Sequence, residues 1–206
     1  MEPEIIKPFG PSILKIKIPD EIVKEMNLFV DEMIKDHKKI EKFNEGPKLA
    51  GNVYQEFLMD TDFMKKIKWG EFLGMVCNKW LLKEKNSKLK SFQIIKSWIV
   101  RQFKNEYNPI HYHSGHISGV GHLKVPKEMG ETYQKNKSTN HNGKLVLIDG
   151  SKKLFSTPTF SISPVVGDFY MFPSYMMHTV YPFSGTDEER RSVSFNAIID
   201  EKAASL

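Results

Sequence analysis

The stretch HYHSGHISGVGH, residues 111–122, holds four of the chain's seven histidines. Neutral imidazole is the commonest metal ligand among side chains. In an extended strand residues i and i+2 point to the same face, so His111 and His113 project together. Two imidazoles so placed can hold one divalent ion if a third ligand arrives from a distant strand. His178 is the candidate, in GDFYMFPSYMMHTVYPF, after a Pro-containing turn and at the start of a strand. Twelve residues further on, RRSVSFN puts Arg190, Ser192, Ser194 and Asn196 on one strand face. An arginine buried on a barrel wall needs a partner, and a carboxylate matches its two-pronged donor geometry. A lone His-X-His is more often a surface or hydrogen-bonded pair than a metal site. The ordered set of His-X-His, His and Arg-X-Ser within one β-rich half is much harder to reach by chance.

The elements that must position these residues divide near residue 90. Before it, PDEIVKEMNLFVDEMIKDHKKIEKF repeats Ile22, Met26, Phe29, Val30, Met33 and Ile34 at helical spacing, with Asp20 as the expected N-cap. A second helical stretch spans 61–85, interrupted by Gly70 and Gly74. Their Met and aromatic stripes read as packing faces. After residue 90 come short β-rich runs, among them SFQIIKSWIVRQF, ISGVGHLKV, GKLVLIDG, GDFYMFP and RSVSFNAII, separated by Gly, Pro, Asn or Asp. The polar stretch 124–143 is expected to be a long loop, serving as a lid or a substrate loop. Helices followed by antiparallel strands predict an α+β protein, a β-sandwich or barrel with helices packed on one sheet. No linker divides the chain, so a single domain over 1–206 is expected, with 1–90 mainly helical support and 91–206 the metal-binding core.

With 206 residues, 40% of them hydrophobic, the chain can bury one sizeable core. The net charge of +5 is spread among interleaved Lys, Asp and Glu, and no nucleic-acid module is recognised. Cys77 is the single cysteine, in the apolar run FLGMVCNKWLL, which suits a reducing compartment and a core role. Neither a signal peptide nor a bilayer-spanning run is evident, so a cytoplasmic protein without membrane contact is expected.

The segments IHYHSGHISGVGHLKVP and SPVVGDFYMFPSYMMHTVYPFSGTDEERRSVSFN resemble the iron(II)/2-oxoglutarate oxygenases of the double-stranded β-helix, or jelly-roll, superfamily. The shared features are H-x-H followed by S-G-V, a G-[DE]-[FL]-x-x-F-P-S strand, a distal H-x-V-x-P and R-[IV]-S-[IV]-x-F-N. The resemblance implies His111, His113 and His178 as ligands of Fe(II), and Arg190 with Ser192 as the seat of the distal carboxylate of the cosubstrate 2-oxoglutarate. Arg191 is the fallback anchor; Asn196 and Tyr112 are further candidates. It also implies a dioxygenase using O2, most commonly a hydroxylase, that converts 2-oxoglutarate to succinate and carbon dioxide. The superfamily's usual motif is His-X-Asp, so His113 makes this ligand set neutral, and imidazole ligands suit several divalent metals. Asp168 is the nearest spare carboxylate in the distal motif, without a convincing spacing. His116 and His122 are expected to be bystanders, the second a pocket wall or core residue, and His37 and His141 to be exposed. The prime substrate would enter beneath the 124–143 loop, past Tyr107, Tyr112 and Tyr133.

Two other classes compete. A cupin is also a jelly roll, and Gly167, Pro173 and His178 have the spacing of its second motif. Tyr175 stands where cupins usually have Gly, however, and the first motif lacks its Glu. A cupin, acting as a metal-dependent dioxygenase or isomerase, would not call for Arg190 and Ser192. The other alternative is a non-catalytic jelly-roll binding domain.

Overall fold

The computed structural model describes residues 2–200 except 8, 9, 49, 133–135, 153, 155 and 156. Two short strands, β1 (Glu4–Ile6) and β2 (Ile13–Lys17), lead into helices α1 (Asp20–Met33) and α2 (His37–Phe43). Strand β3 (Gln55–Leu58) precedes helices α3 (Thr61–Lys66) and α4 (Trp69–Lys85). Eight strands follow: β4 (Phe92–Gln102), β5 (Asn108–His111), β6 (Ile117–Lys124), β7 (Leu145–Ile148), β8 (Thr159–Ile162), β9 (Asp168–Pro173), β10 (Met177–Val180) and β11 (Arg190–Ile199). They form a seven-stranded sheet in the order β1-β2-β9-β6-β11-β4-β3 and a four-stranded sheet in the order β5-β10-β7-β8. All their pairings are antiparallel.

The outer face of the large sheet is the floor of the helical layer. Met26 and Val30 of α1 and Trp69, Phe72 and Val76 of α4 pack in one cluster with Phe169, Val193 and Phe195 of the sheet. Trp69 meets Phe169 edge-on at 5.6 Å, and its indole N–H donates to Ser97 Oγ at 3.0 Å. Close approach on this face requires Gly119 on β6, because a Cβ there would lie 2.6 Å from Phe195 and 2.7 Å from the Tyr170 carbonyl. A smaller cluster, including Ile13, Val120, Leu147 and Phe172, fills part of the space between the two sheets.

The first 90 residues are less purely helical than their periodicity predicts. β1, β2 and β3 all join the large sheet, because runs of three to five residues carry too little alternation to outweigh the neighbouring helical signal. The break in the second helical stretch falls at Lys68, with φ of 55°, rather than at Gly70 or Gly74, which lie inside α4 facing Ile94 and Phe92. Pro19 rather than Asp20 is the N-cap of α1, without a side-chain cap bond; Asp20 sits in the first turn, where its charge favours the helix dipole. No described helix is long and apolar enough to cross a membrane.

Candidate functional site

Strands β5 and β10 run side by side with His111 directly opposite His178. His113 lies two residues beyond β5, where its backbone N–H donates to the Ser174 carbonyl at 2.9 Å. The three imidazoles therefore converge: ring centroids lie 4.3 Å apart for His111 and His178, and 4.9 Å for each pair involving His113. One ligand atom from each falls within 4.8 Å of the others, a group able to hold a metal ion.

The donor chemistry fits a metal. Nδ1 of His111 is 2.7 Å from the Pro109 carbonyl and Nδ1 of His178 is 2.9 Å from that of Met176. Each carbonyl can only accept, so it fixes the tautomer with the proton on Nδ1 and leaves Nε2 with a free lone pair. Burial, then the neighbouring His178 and His111, pulls His113 down to about 3. Burial, then His111, pulls His178 down to about 4. His113 and His178 are thus held in the neutral, ligating form at physiological pH.

These histidines line one wall of a cavity of about 310 Å³ whose opposite wall is the inner face of the large sheet. Arg190, Ser192, Ser194 and Asn196 all face it, as strand alternation predicts. Arg190 is 1% exposed, and burial pulls its guanidinium down to about 10. Its contacts are neutral: Nη1 donates to Gln102 Oε1 at 3.0 Å, and Nη2 lies 3.5 Å from Nδ1 of His122. Its Nε has no partner. Among the described residues no carboxylate pairs with Arg190, although a buried guanidinium ordinarily demands one.

Arg191 points the other way. Its guanidinium donates to Glu189 at 2.7 and 3.0 Å, to Asp31 at 2.8 Å and to Asn27, all on the helical side. That network occupies every arm of the fallback anchor. Asn196 accepts from Ser118 Oγ at 2.8 Å and lines the cavity; Tyr112 lines its mouth and is largely exposed.

Several other sequence expectations resolve here. Asp168 is far from the imidazoles in its bonding, held by Lys17 at 2.6 Å and Lys15 at 3.2 Å. His116 is fixed to the backbone of Ile199. His122 is fully buried against Arg190, opposite Ser192 on the adjacent strand, so it supports the cavity wall and does more than fill core. The 124–143 loop packs elsewhere: Met129 accepts from Ser184, and none of the loop's described residues lines the cavity. Tyr107 pairs with Asn52 through the backbone, and Tyr133 lies outside the described residues. In place of the loop, Ala50, Gly51 and Glu56 supply the rim and one end of the cavity. Sequence reasoning missed Gln102, Glu56 and Asn108. Only cross-strand register could have found the first, since Gln102 is directly opposite Arg190.

A family model described as "Putative 2OG-Fe(II) oxygenase" matches residues 96–196. No curated protein sequence is significantly similar to the chain. Among solved structures, a Pseudomonas putida prolyl-4-hydroxylase is similar at 13% identity and a TM-score of 0.56, covering 91% of each chain. A Trichoplax adhaerens prolyl hydroxylase in complex with a peptide fragment of the hypoxia inducible factor oxygen degradation domain has 14% identity and a TM-score of 0.57, over 93% of this chain and 85% of that one. HygX from Streptomyces hygroscopicus, with nickel and 2-oxoglutarate bound, has 9% identity and a TM-score of 0.56, over 90% and 82%. At such identities the likeness establishes the fold, a double-stranded β-helix.

Proposed function

Residues 96–196 belong to the 2OG-Fe(II) oxygenase family, and from that premise we propose that His111, His113 and His178 hold the iron while Arg190 and Ser192 seat 2-oxoglutarate. The observation that carries this reading is a convergent imidazole triad sharing one cavity with a buried arginine that lacks a counter-ion. Three ligands on one side of an ion leave positions for a chelating 2-oxo acid and for oxygen. When bound, Fe(II) supplies the redox chemistry by which O2 and 2-oxoglutarate yield succinate, carbon dioxide and an oxidised prime substrate.

The chain's own residues do the positioning. Arg190, clamped by Gln102, presents its unpartnered donors to the distal carboxylate of the cosubstrate. Gln102 is itself fixed, donating to the carbonyls of Glu106 at 2.6 Å and Tyr181 at 3.2 Å, so the guanidinium is preorganised. Ser192, on the same face of β11, is placed to add a hydroxyl donor to that carboxylate. The neutral ligand set leaves the ion's full charge to attract the dianionic oxo acid. His122 stays uncharged beside Arg190, because burial and then Arg190 hold its pKa well down, so the cationic end of the cavity carries a single positive charge. Hydroxylation of the prime substrate is the outcome this reading favours. The arginine socket distinguishes it from a cupin without 2-oxoglutarate.

The test is anaerobic addition of Fe(II) and then 2-oxoglutarate. A weak visible charge-transfer band is expected with the unmodified chain; its absence overturns the reading. Changing His113→Asp should shift that band if His113 touches the metal and leave it unmoved if it does not.

A further inference from the structure

The end of the cavity away from Arg190 carries a second polar feature that cosubstrate binding does not use. Glu56 on β3 is 1% exposed and lines the cavity, and its Oε1 is buried without a partner. Among the described lining residues it is the single carboxylate. Register places it in one cross-strand row, Glu56 opposite Val100, Val100 opposite Ser192 and Ser192 opposite His122. Two interstrand steps separate β3 from β11, so roughly 10 Å of backbone lies between the acidic and the arginine ends.

Two groups lie near this carboxylate, and neither reaches Oε1. Lys96 lies 4.0 Å from Glu45 and 5.8 Å over the Trp98 ring, contributing a long-range attraction. The neighbouring Trp98 indole favours the ionised carboxylate yet leaves Oε1 orphaned. The remaining neighbour is another acceptor. A Cβ built on Gly51 would lie 2.6 Å from Glu56 Oε1 and 3.0 Å from Asn108 Oδ1, so the lack of a side chain at Gly51 is what lets these two oxygens sit together at this end of the cavity. Two neighbouring acceptors on one cavity wall are complementary to a group with several N–H donors. An ionised carboxylate taken out of water further calls for a positive charge.

We propose that this end of the cavity receives a cationic nitrogen of the prime substrate, a primary ammonium or a guanidinium, at the Glu56 carboxylate beside the Asn108 amide. The proposal rests on the oxygenase reading above, with 2-oxoglutarate occupying the Arg190 end. The substrate then carries its reacting carbon between Glu56 and the imidazole triad. A cavity of about 310 Å³ is at the small end for ligand pockets, so one amine-bearing side chain or a small amine suits it. Burial, opposed first by Lys96 and then by the Trp98 indole, raises the Glu56 carboxyl to about 7, so a bound cation would also return it to the ionised form.

The probes are n-butylammonium, its neutral counterpart n-pentanol, and a capped tripeptide, acetyl-Ala-Lys-Ala-amide, paired with its norleucine analogue. They are titrated by calorimetry into the nickel-loaded, 2-oxoglutarate-bound protein, after the Fe(II) charge-transfer band has been recorded. At least one cationic probe should bind tenfold or more tightly than its neutral partner. Glu56→Gln should abolish that preference, and so should Gly51→Ala, which keeps the charges and pushes the Glu56 and Asn108 oxygens out of place. Preference for n-butylammonium alone identifies a small amine as the source of the cation; preference for the lysyl tripeptide identifies a polypeptide side chain. Equal binding of both members of each pair overturns the proposal, as does a preference that survives Glu56→Gln. Equal binding is also what a turned Asn108 amide, donating to Glu56, would give. If the band itself is missing, the oxygenase reading fails instead.

Discussion

Along β11, Arg191, Val193 and Phe195 look into the helical layer, while Arg190, Ser192 and Ser194 look into the cavity. The two arginines are equally buried, each 1% exposed. On the helical side the charge is fully answered: burial works against the Arg191 cation, but Glu189 and Asp31 raise its pKa. On the cavity side Arg190 has only Gln102 and His122, and its pKa falls. Stability alone would not keep a buried guanidinium unpaired, since a well-packed apolar residue of similar size would cost less. One strand thus shows how a residue kept for folding differs from one kept for a ligand, with residue type and burial held constant.

The contrast can be broken from either face. The largest effect is expected on the helical side. Arg191→Met leaves Glu189 with Arg101 as its close partner, at 2.8 Å, and releases the half-exposed Asp31 to solvent; losing the buried network should still cost about 3 kcal/mol in denaturant unfolding, while folded molecules still form the charge-transfer band. Retained stability would mean that the network is not structural. Arg190→Met should do the reverse, weakening 2-oxoglutarate at least thirtyfold, about 2 kcal/mol or more, with the thermal midpoint unchanged or higher. An unaltered dissociation constant would move the cosubstrate seat elsewhere. Gly119→Ala, which pushes a methyl group toward Phe195 and the Tyr170 carbonyl, should cost about 1–3 kcal/mol and leave metal binding intact. The gentlest probe is acid. Folded His113 and His178 are depressed to about 3 and about 4 from a usual 6.5. Between those limits the unfolded chain binds protons that the folded chain refuses, so stability present above pH 6.5 is lost as pH falls toward 4. The metal-free protein should melt several degrees lower at pH 5 than at pH 7; bound metal should protect it until protons displace the ligands.

Alternation made much of this legible in sequence. A period of two was enough to put Arg190 and Ser192 on one face and Arg191 on the other, and each long β-rich run after residue 90 became a strand. Convergence of His111, His113 and His178 followed from motif order and likeness to a family, with the cross-strand pairing supplied by the fold. Glu56, Gln102 and Asn108 were illegible for a common reason. Each matters through a partner far away in sequence, and no local pattern encodes register between strands. Glu56 was hidden further because its four-residue strand sits among helices.

Strand β5 is only four residues long and, as the outer member of its sheet, is bonded to β10 alone. Left to itself such an edge should fray, and its amide protons should exchange sooner than those of β7, which has a partner on each side. A divalent ion shared by His111, His113 and His178 would fasten that edge to its neighbour much as a covalent cross-link would, closing everything between residues 111 and 178 into one loop. The same ion that serves the chemistry is then a clasp on the barrel, and chelation should loosen β5 first.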